Sequence, residues 1–179
     1  MSLNYKTTSA IKLQDIIKQL GPDVKGIELG VWYGVNMGHL LEECPNISKL
    51  IGIDPYHPYQ DWNRYIDTQM MEQAYNSALN IAEKFPGRAS LKLMTSVEAS
   101  EILTSKLFDF IFIDGDHSYE RCYKDLNLWY DSIKRGGLFS GHDFSLPGVN
   151  KAIAQFRKER KIKGFFKVIP NDVWYWIKD

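Results

Sequence analysis

"FDFIFIDGDHSYE" (residues 108–120) opens as an almost wholly apolar run and closes on Asp114-Gly115-Asp116-His117, two acids and a histidine within four residues. A short run this apolar, stopped by a glycine-bearing turn, reads as a buried strand. A helix is expected to begin near Ser118. Strand, ionisable turn and helix in immediate succession are the unit of a parallel α/β sheet, because a parallel connection needs a crossover.

The same alternation extends to both sides. "SAIKLQDIIKQL" (9–20) places Ile11, Leu13, Ile16, Ile17 and Leu20 near helical spacing, and Gly21-Pro22 stops it. "KGIELG" (25–30) and "KLIGIDPY" (49–56) read as strands around a helix at 34–44. A long helix at 68–84 closes on Pro86-Gly87. "SLKLMT" (90–95) and "GGLFSGHDF" (136–144) are further strands, with helices near 97–105, 118–133 and 148–160. "FFKVIP" and "VWYWIKD" flank the short turn Pro170-Asn171-Asp172, which predicts an antiparallel hairpin closing an otherwise parallel sheet. The expected fold is α/β, doubly wound, with helices on both faces. Residues 1–179 are expected to form a single domain: an N-terminal helix within 1–24 and an α/β core over 25–179. The aromatic, aperiodic stretch "YHPYQDWNRYID" (56–67) is the candidate lid loop, ordinary surface connection being the plain alternative.

Composition narrows the partners. The chain has 179 residues, 44% hydrophobic and 25% charged, and 22 basic residues balance 22 acidic ones. Zero net charge and the absence of like-charge blocks argue against nucleic acid. No apolar run approaches the ~20 residues that span a bilayer, so no membrane partner is expected. Cys44 and Cys122 lie far apart in different predicted helices and are expected to be buried free thiols in a cytoplasmic protein.

In open α/β sheets, ligands bind beyond the carboxyl ends of the strands. Those ends carry Glu28-Leu29-Gly30, Asp54, Thr95-Ser96, Asp114 to His117 and His142-Asp143. "ELGVWYG" (28–34) is a glycine-bearing turn into a helix without the dinucleotide spacing G-x-G-x-x-G. Glu28 at its mouth suits an ammonium group better than a pyrophosphate. Asp54 is placed to accept ribose hydroxyls. A cationic nucleoside such as S-adenosylmethionine fits both.

"GIELGVWYGVN", "IGIDPY", "FDFIFIDGDHSYE" and "GGLFSGHDF", in this order, resemble class I S-adenosylmethionine-dependent methyltransferases, more narrowly the small-molecule O-methyltransferases of the macrocin and sugar type. The resemblance covers about residues 25–179. It implies a Rossmann-like seven-stranded sheet with an antiparallel last strand. It also implies cofactor contacts from Glu28, Gly30, Asn36, Asp54, Ser96 and Asp114, with Ser96 on the adenine side. Metal coordination falls on Asp114, His142 and Asp143, and the general base on Asp116.

Asp114, Asp116 and Asp143 with His117 and His142 would crowd one crevice, and a divalent metal relieves such crowding. The resemblance includes members with two acids where this chain has His142-Asp143; the imidazole weakens the case for an obligatory magnesium and admits manganese, iron or zinc. Methyl transfer to a hydroxyl of a small-molecule acceptor follows, with Asp116 or His117 taking the proton. Plain alternatives stand beside these roles. Asp116 and His117 can cap the following helix, and His142-Asp143 can form a hydrogen-bonded turn. Metal-dependent hydrolysis and non-catalytic S-adenosylmethionine binding are the rival functions; the missing glycine fingerprint disfavours a nicotinamide dehydrogenase. Because little N-terminal material is available for a substrate lid, a homodimer is expected.

Overall fold

In the computed structural model, which describes residues 13–61, 64–103 and 107–179, strand and helix alternate along the chain. The elements are α1 (Gln14–Gln19), β1 (Val24–Leu29), α2 (Val35–Glu43), β2 (Ile47–Asp54), β3 (Tyr59–Asp61), β4 (Arg64–Ile66), α3 (Thr68–Glu83), β5 (Ala89–Leu93), α4 (Ser96–Leu103), β6 (Phe108–Ile113), α5 (Tyr119–Trp129), β7 (Ile133–Gly141), α6 (Pro147–Glu159), β8 (Lys167–Ile169) and β9 (Val173–Ile177). Seven strands form one sheet in the order β5-β2-β1-β6-β7-β9-β8. β5, β2, β1, β6 and β7 pair in parallel, while β9 runs antiparallel to both β7 and β8. The doubly wound sheet with an antiparallel closing pair is therefore as expected.

Period-two alternation decides which face each side chain covers. Phe110 and Phe112 point into one core layer with Met37, Leu40, Ala74 and Ala78 of α2 and α3. Ile111 and Ile113 point into the opposite layer with Leu126 and Trp129 of α5 and with Ile153 and Phe156 of α6. Both layers exclude water, which is why the strands read as continuous apolar runs. Trp174 and Trp176 of β9 are fully buried in the second layer. Cys44 and Cys122 are buried free thiols, as expected. Among the described residues, no helix is long and apolar enough to cross a membrane.

Two local features differ from expectation. The stretch around residues 59–66 pairs as a short hairpin, β3 against β4, rather than running as an irregular loop. The β7 strand begins at Ile133, three residues before the predicted start, because its pairing with β6 tolerates a bulge between Phe108 and Phe110. The predicted helix ends at residues 9–12 and 104–105 lie outside the described residues. The closing hairpin turns through Asn171 and Asp172, both with positive φ (68° and 60°), a conformation these two residue types tolerate.

Strand order also locates the crevice. From β1 the chain steps outward to β2 and β5, then returns to place β6 on the other side of β1. Switch points of this kind leave an opening above the strand ends.

Candidate active site

A cavity of about 1110 Å3 opens at that switch point. Glu28, Gly30, Asn36, Asp54, Ser96, Asp114, Asp116 and His117 all line it, so the first four predicted strand ends converge, while His142 and Asp143 lie outside the lining. His57, Pro58 and Tyr59 of the 56–67 segment line it too.

Glu28 lies at the floor, 1% exposed. Its Oε1 accepts a hydrogen bond from Asn36 Nδ2 at 3.1 Å, while Oε2 is buried with no partner among the described residues. Burial pushes the carboxyl up to about 8, with Asn36 acting against the rise and the nearby Asp114 and Asp54 carboxylates adding to it. An unpartnered buried acceptor at the bottom of a crevice is the place for an incoming N–H donor, so the floor fits the ammonium end of an amino-acid-bearing ligand.

Asp54 plays a more architectural part than a ribose contact alone. Its Oδ2 accepts from the backbone N–H of Val31 (2.9 Å) and Trp32 (3.0 Å), and its Oδ1 from Tyr56 N (2.9 Å). Trp32 and Tyr56 both hold positive φ, 51° and 49°, and Tyr56 Oη donates to Trp32 O at 2.9 Å. The carboxylate thus pins two strained residues of the crevice wall. Glycine at 30 and 34 is likewise demanded by the protein itself: a Cβ on Gly34 would lie 2.8 Å from Ala78 Cα of α3, and one on Gly30 would strike the Asp114 carbonyl.

The Ser96 hydroxyl is committed as well. It donates to Asp125 Oδ1 at 2.5 Å and accepts from Trp129 Nε1 at 2.8 Å. Asp125, which the sequence reading passed over, lines the cavity at 9% exposure, and burial pushes its carboxyl up to about 6.

Beyond β6 and β7 lies a carboxylate–imidazole cluster. His117 Nε2 stands 2.8 Å from Asp143 Oδ2 and 4.0 Å from Asp114 Oδ1. His142 Nδ1 stands 3.0 Å and 3.6 Å from the same two oxygens. Contacts with Asp114 and Asp143 push His117 up to about 10. Burial favours the neutral ring of His142, yet the same two carboxylates push it up to about 10. Burial opposes the ionisation of Asp143 too, but the two rings outweigh it and hold the carboxyl well below its usual range. The crowding foreseen among three acids is thereby relieved within the protein. In the cation-free protein the two imidazoles, with their raised values, face two carboxylates, and Asp116 stands apart, exposed, with Oδ1 accepting from Ser118 N at 2.8 Å. Ser118 is the helix N-cap, its hydroxyl accepting from Arg121 N.

The donor set expected for a cation is rearranged. Ligand atoms of Asp114, His117 and Asp143 lie within 4.8 Å of one another, and His142 Nδ1, expected in this set, stands close to the same two carboxylates. The positive φ of Asp143 (58°) turns its carboxylate back toward His117, whose Nε2 is buried without an aligned hydrogen bond. Two carboxylates and an imidazole with an unaligned nitrogen suit a divalent ion. The 142–145 loop carrying Asp143 is held from the closing hairpin: Trp174 Nε1 donates to His142 O at 3.0 Å, and Ser145 Oγ donates to Asp172 Oδ2 at 2.6 Å.

The sheet thus carries a carboxylate-floored crevice at its switch point, where open α/β folds bind their ligands. A family model described as a methyltransferase domain matches residues 27–144, about two-thirds of the chain. The chain belongs to this family and is a class I S-adenosylmethionine-dependent methyltransferase. It is 26% identical over 162 residues to an uncharacterised protein of Acanthamoeba polyphaga mimivirus, covering 84% of this chain and 70% of that one. An O-methyltransferase from Bacillus cereus, solved in complex with SAH, shares the fold with a TM-score of 0.67 at 12% identity, over 99% of this chain and 84% of that one. A TDP-rhamnose 3′-O-methyltransferase of calicheamicin biosynthesis superposes with a TM-score of 0.66 at 13% identity, over 94% and 78%.

Proposed function

We propose that the crevice transfers the methyl group of S-adenosylmethionine to a hydroxyl of a small molecule, and that Asp114, His117 and Asp143 hold a divalent cation beside the acceptor. The observation that carries this reading is one adjacency. The unpartnered Glu28 oxygen lies on β1 and the Asp114 cluster follows β6, the strand paired with it, so a donor and an acceptor would share one crevice. The TDP-rhamnose enzyme of similar fold makes sugar hydroxyls the first acceptor class to screen.

S-adenosylmethionine supplies an electrophilic methyl group on a sulfonium, and a divalent cation supplies Lewis-acid polarisation of the acceptor hydroxyl. The chain supplies position and a proton acceptor. Glu28, once ionised and oriented by Asn36, accepts from the ammonium group. Asp54 keeps the Val31–Trp32 wall rigid. His117, as a ligand of that cation, would not also serve as the base. Asp116 keeps that role: no described residue donates to its Oδ2, and it lines the cavity. The hydroxyl proton passes to that oxygen as the new C–O bond forms and the C–S bond breaks, leaving a methyl ether and S-adenosylhomocysteine. Rate comes largely from holding the reactants in line.

The test is calorimetric titration of metal-stripped protein with S-adenosylmethionine, repeated with magnesium, manganese and zinc, then turnover of Asp143→Ala. Cofactor binding with affinity kept within about threefold, and turnover lost by about 100-fold, is expected of the variant. Normal turnover by Asp143→Ala removes the cation from the mechanism; absence of cofactor binding removes the whole reading. A homodimer is proposed alongside, and a monomer by light scattering with cofactor present would overturn it.

A further inference from the structure

The Trp129–Ser96–Asp125 chain has a fixed direction. Indole Nε1 only donates, so Ser96 Oγ accepts from Trp129 and must send its own proton to Asp125 Oδ1. One carboxylate oxygen of Asp125 is thereby used. The other, Oδ2, accepts from no described residue, and an ideal Cβ on Gly115 would lie 3.8 Å from it, at the crevice lining. A carboxylate this buried, with one oxygen tied and one unpartnered beside a cavity, awaits a donor.

The place of its partner Ser96 says which donor. Glu28 ends β1 and Ser96 follows β5, two strands away, about 10 Å at ordinary strand spacing. S-adenosylmethionine is an elongated molecule with an ammonium at one end and a purine amine at the other. With the ammonium at Glu28, the purine extends toward the Ser96–Asp125 wall. We infer that Asp125 Oδ2 accepts a hydrogen bond from the exocyclic amine of the adenine, making Asp125 the residue that selects adenine. This rests on the cofactor reading above. Ser96 does not contact the base with its hydroxyl; it aims Asp125.

The direction of the chain gives a sharp experiment. In Asp125→Asn, Ser96 still donates to the amide oxygen, so the amide nitrogen takes the position of Oδ2 and faces the crevice. An acceptor becomes a donor. Affinities of S-adenosylhomocysteine and S-inosylhomocysteine, which carries a carbonyl in place of the amine, are measured calorimetrically for wild type, Asp125→Asn and Asp125→Ala, with melting temperatures as a check on folding. Wild type is expected to favour the adenosyl ligand by at least about tenfold. Asp125→Asn is expected to favour the inosyl ligand, and Asp125→Ala to bind the two about equally. A wild type that does not discriminate, or variants that keep its preference or weaken both ligands alike, overturn the inference. If Asp125→Asn does not fold, the ratio in Asp125→Ala decides. A wild type that binds neither ligand overturns the cofactor reading itself, an outcome separable from the others.

Discussion

A Cβ placed on Gly30 would lie 2.0 Å from the carbonyl oxygen of Asp114. The turn after β1 is seated directly on the end of β6, and the two strand ends that frame the crevice are fixed by this contact. Gly30→Ala combines a side chain at φ +80° with a collision against backbone that cannot swing aside. We expect a loss of at least ~2 kcal/mol, the sum of a left-handed alanine and an overpacked contact. Thermal denaturation checks it; an unchanged midpoint contradicts the packing.

Asp54 holds three backbone N–H groups, and an asparagine offers one acceptor oxygen in place of two. Asp54→Asn should destabilise the protein by about 2 kcal/mol, the scale of a hydrogen bond to a charged acceptor. Cofactor affinity should fall with it, because the wall at Val31 and Trp32 is released. Denaturant midpoints measured beside calorimetry separate the cases. Affinity lost at full stability would mean that Asp54 acts on the ligand alone.

Glu28 sets a pH dependence. The folded protein keeps a proton on this group up to about 8, whereas the unfolded chain releases it near 4.5. The free protein therefore loses stability as pH climbs through that window. Cofactor affinity runs the other way: binding the ammonium ionises Glu28 and expels a proton, so affinity rises up to about tenfold per pH unit below 8. Above that point the ligand's own amine, with an ordinary value of about 8, deprotonates and affinity falls. Titrations from pH 6 to 9 should trace a maximum near 8, and Glu28→Gln should erase the rising limb.

The rings of His117 and His142 owe their high values to shared carboxylates, and Asp143 lies 2.8 Å and 3.0 Å from them. In metal-free Asp143→Asn, both should move down from about 10 toward the ordinary 6.5. Histidine titration by NMR reads this directly. In the metal-free wild type, the pairing stabilises fully below 6.5 and fades as pH rises through 10, so the variant's deficit should shrink at the alkaline end. Rings that titrate unchanged in the variant would show that the balance does not come from Asp143.

The strand–helix alternation was legible because the central strands are covered on both faces and most helices are punctuated by Gly or Pro. Pro170-Asn171-Asp172 even encodes the turn of the closing hairpin. The 59–66 pairing was not legible: its strands are three residues each, too short for alternation to register. The acids at strand ends were read as site residues, but their division of labour was hidden. What Gly30 must avoid comes from Asp114, and what Ser96 does comes from Asp125 and Trp129, contacts made only after folding. Asp125 did carry a signal. Cys122, Leu126 and Trp129 form a buried helical stripe, and Asp125 occupies a stripe position where a carboxylate needs a partner.

The closing hairpin also orders the assembly of the crevice in time. β9 cannot enter between β7 and β8 until the chain has been made through Ile177, and Trp174 and Asp172 are the residues that hold the 142–145 loop. The Glu28–Asp54–Asp125 portion draws only on elements up to α5. On a ribosome, the Glu28–Asp54–Asp125 wall has all of its parts before the wall that carries Asp143.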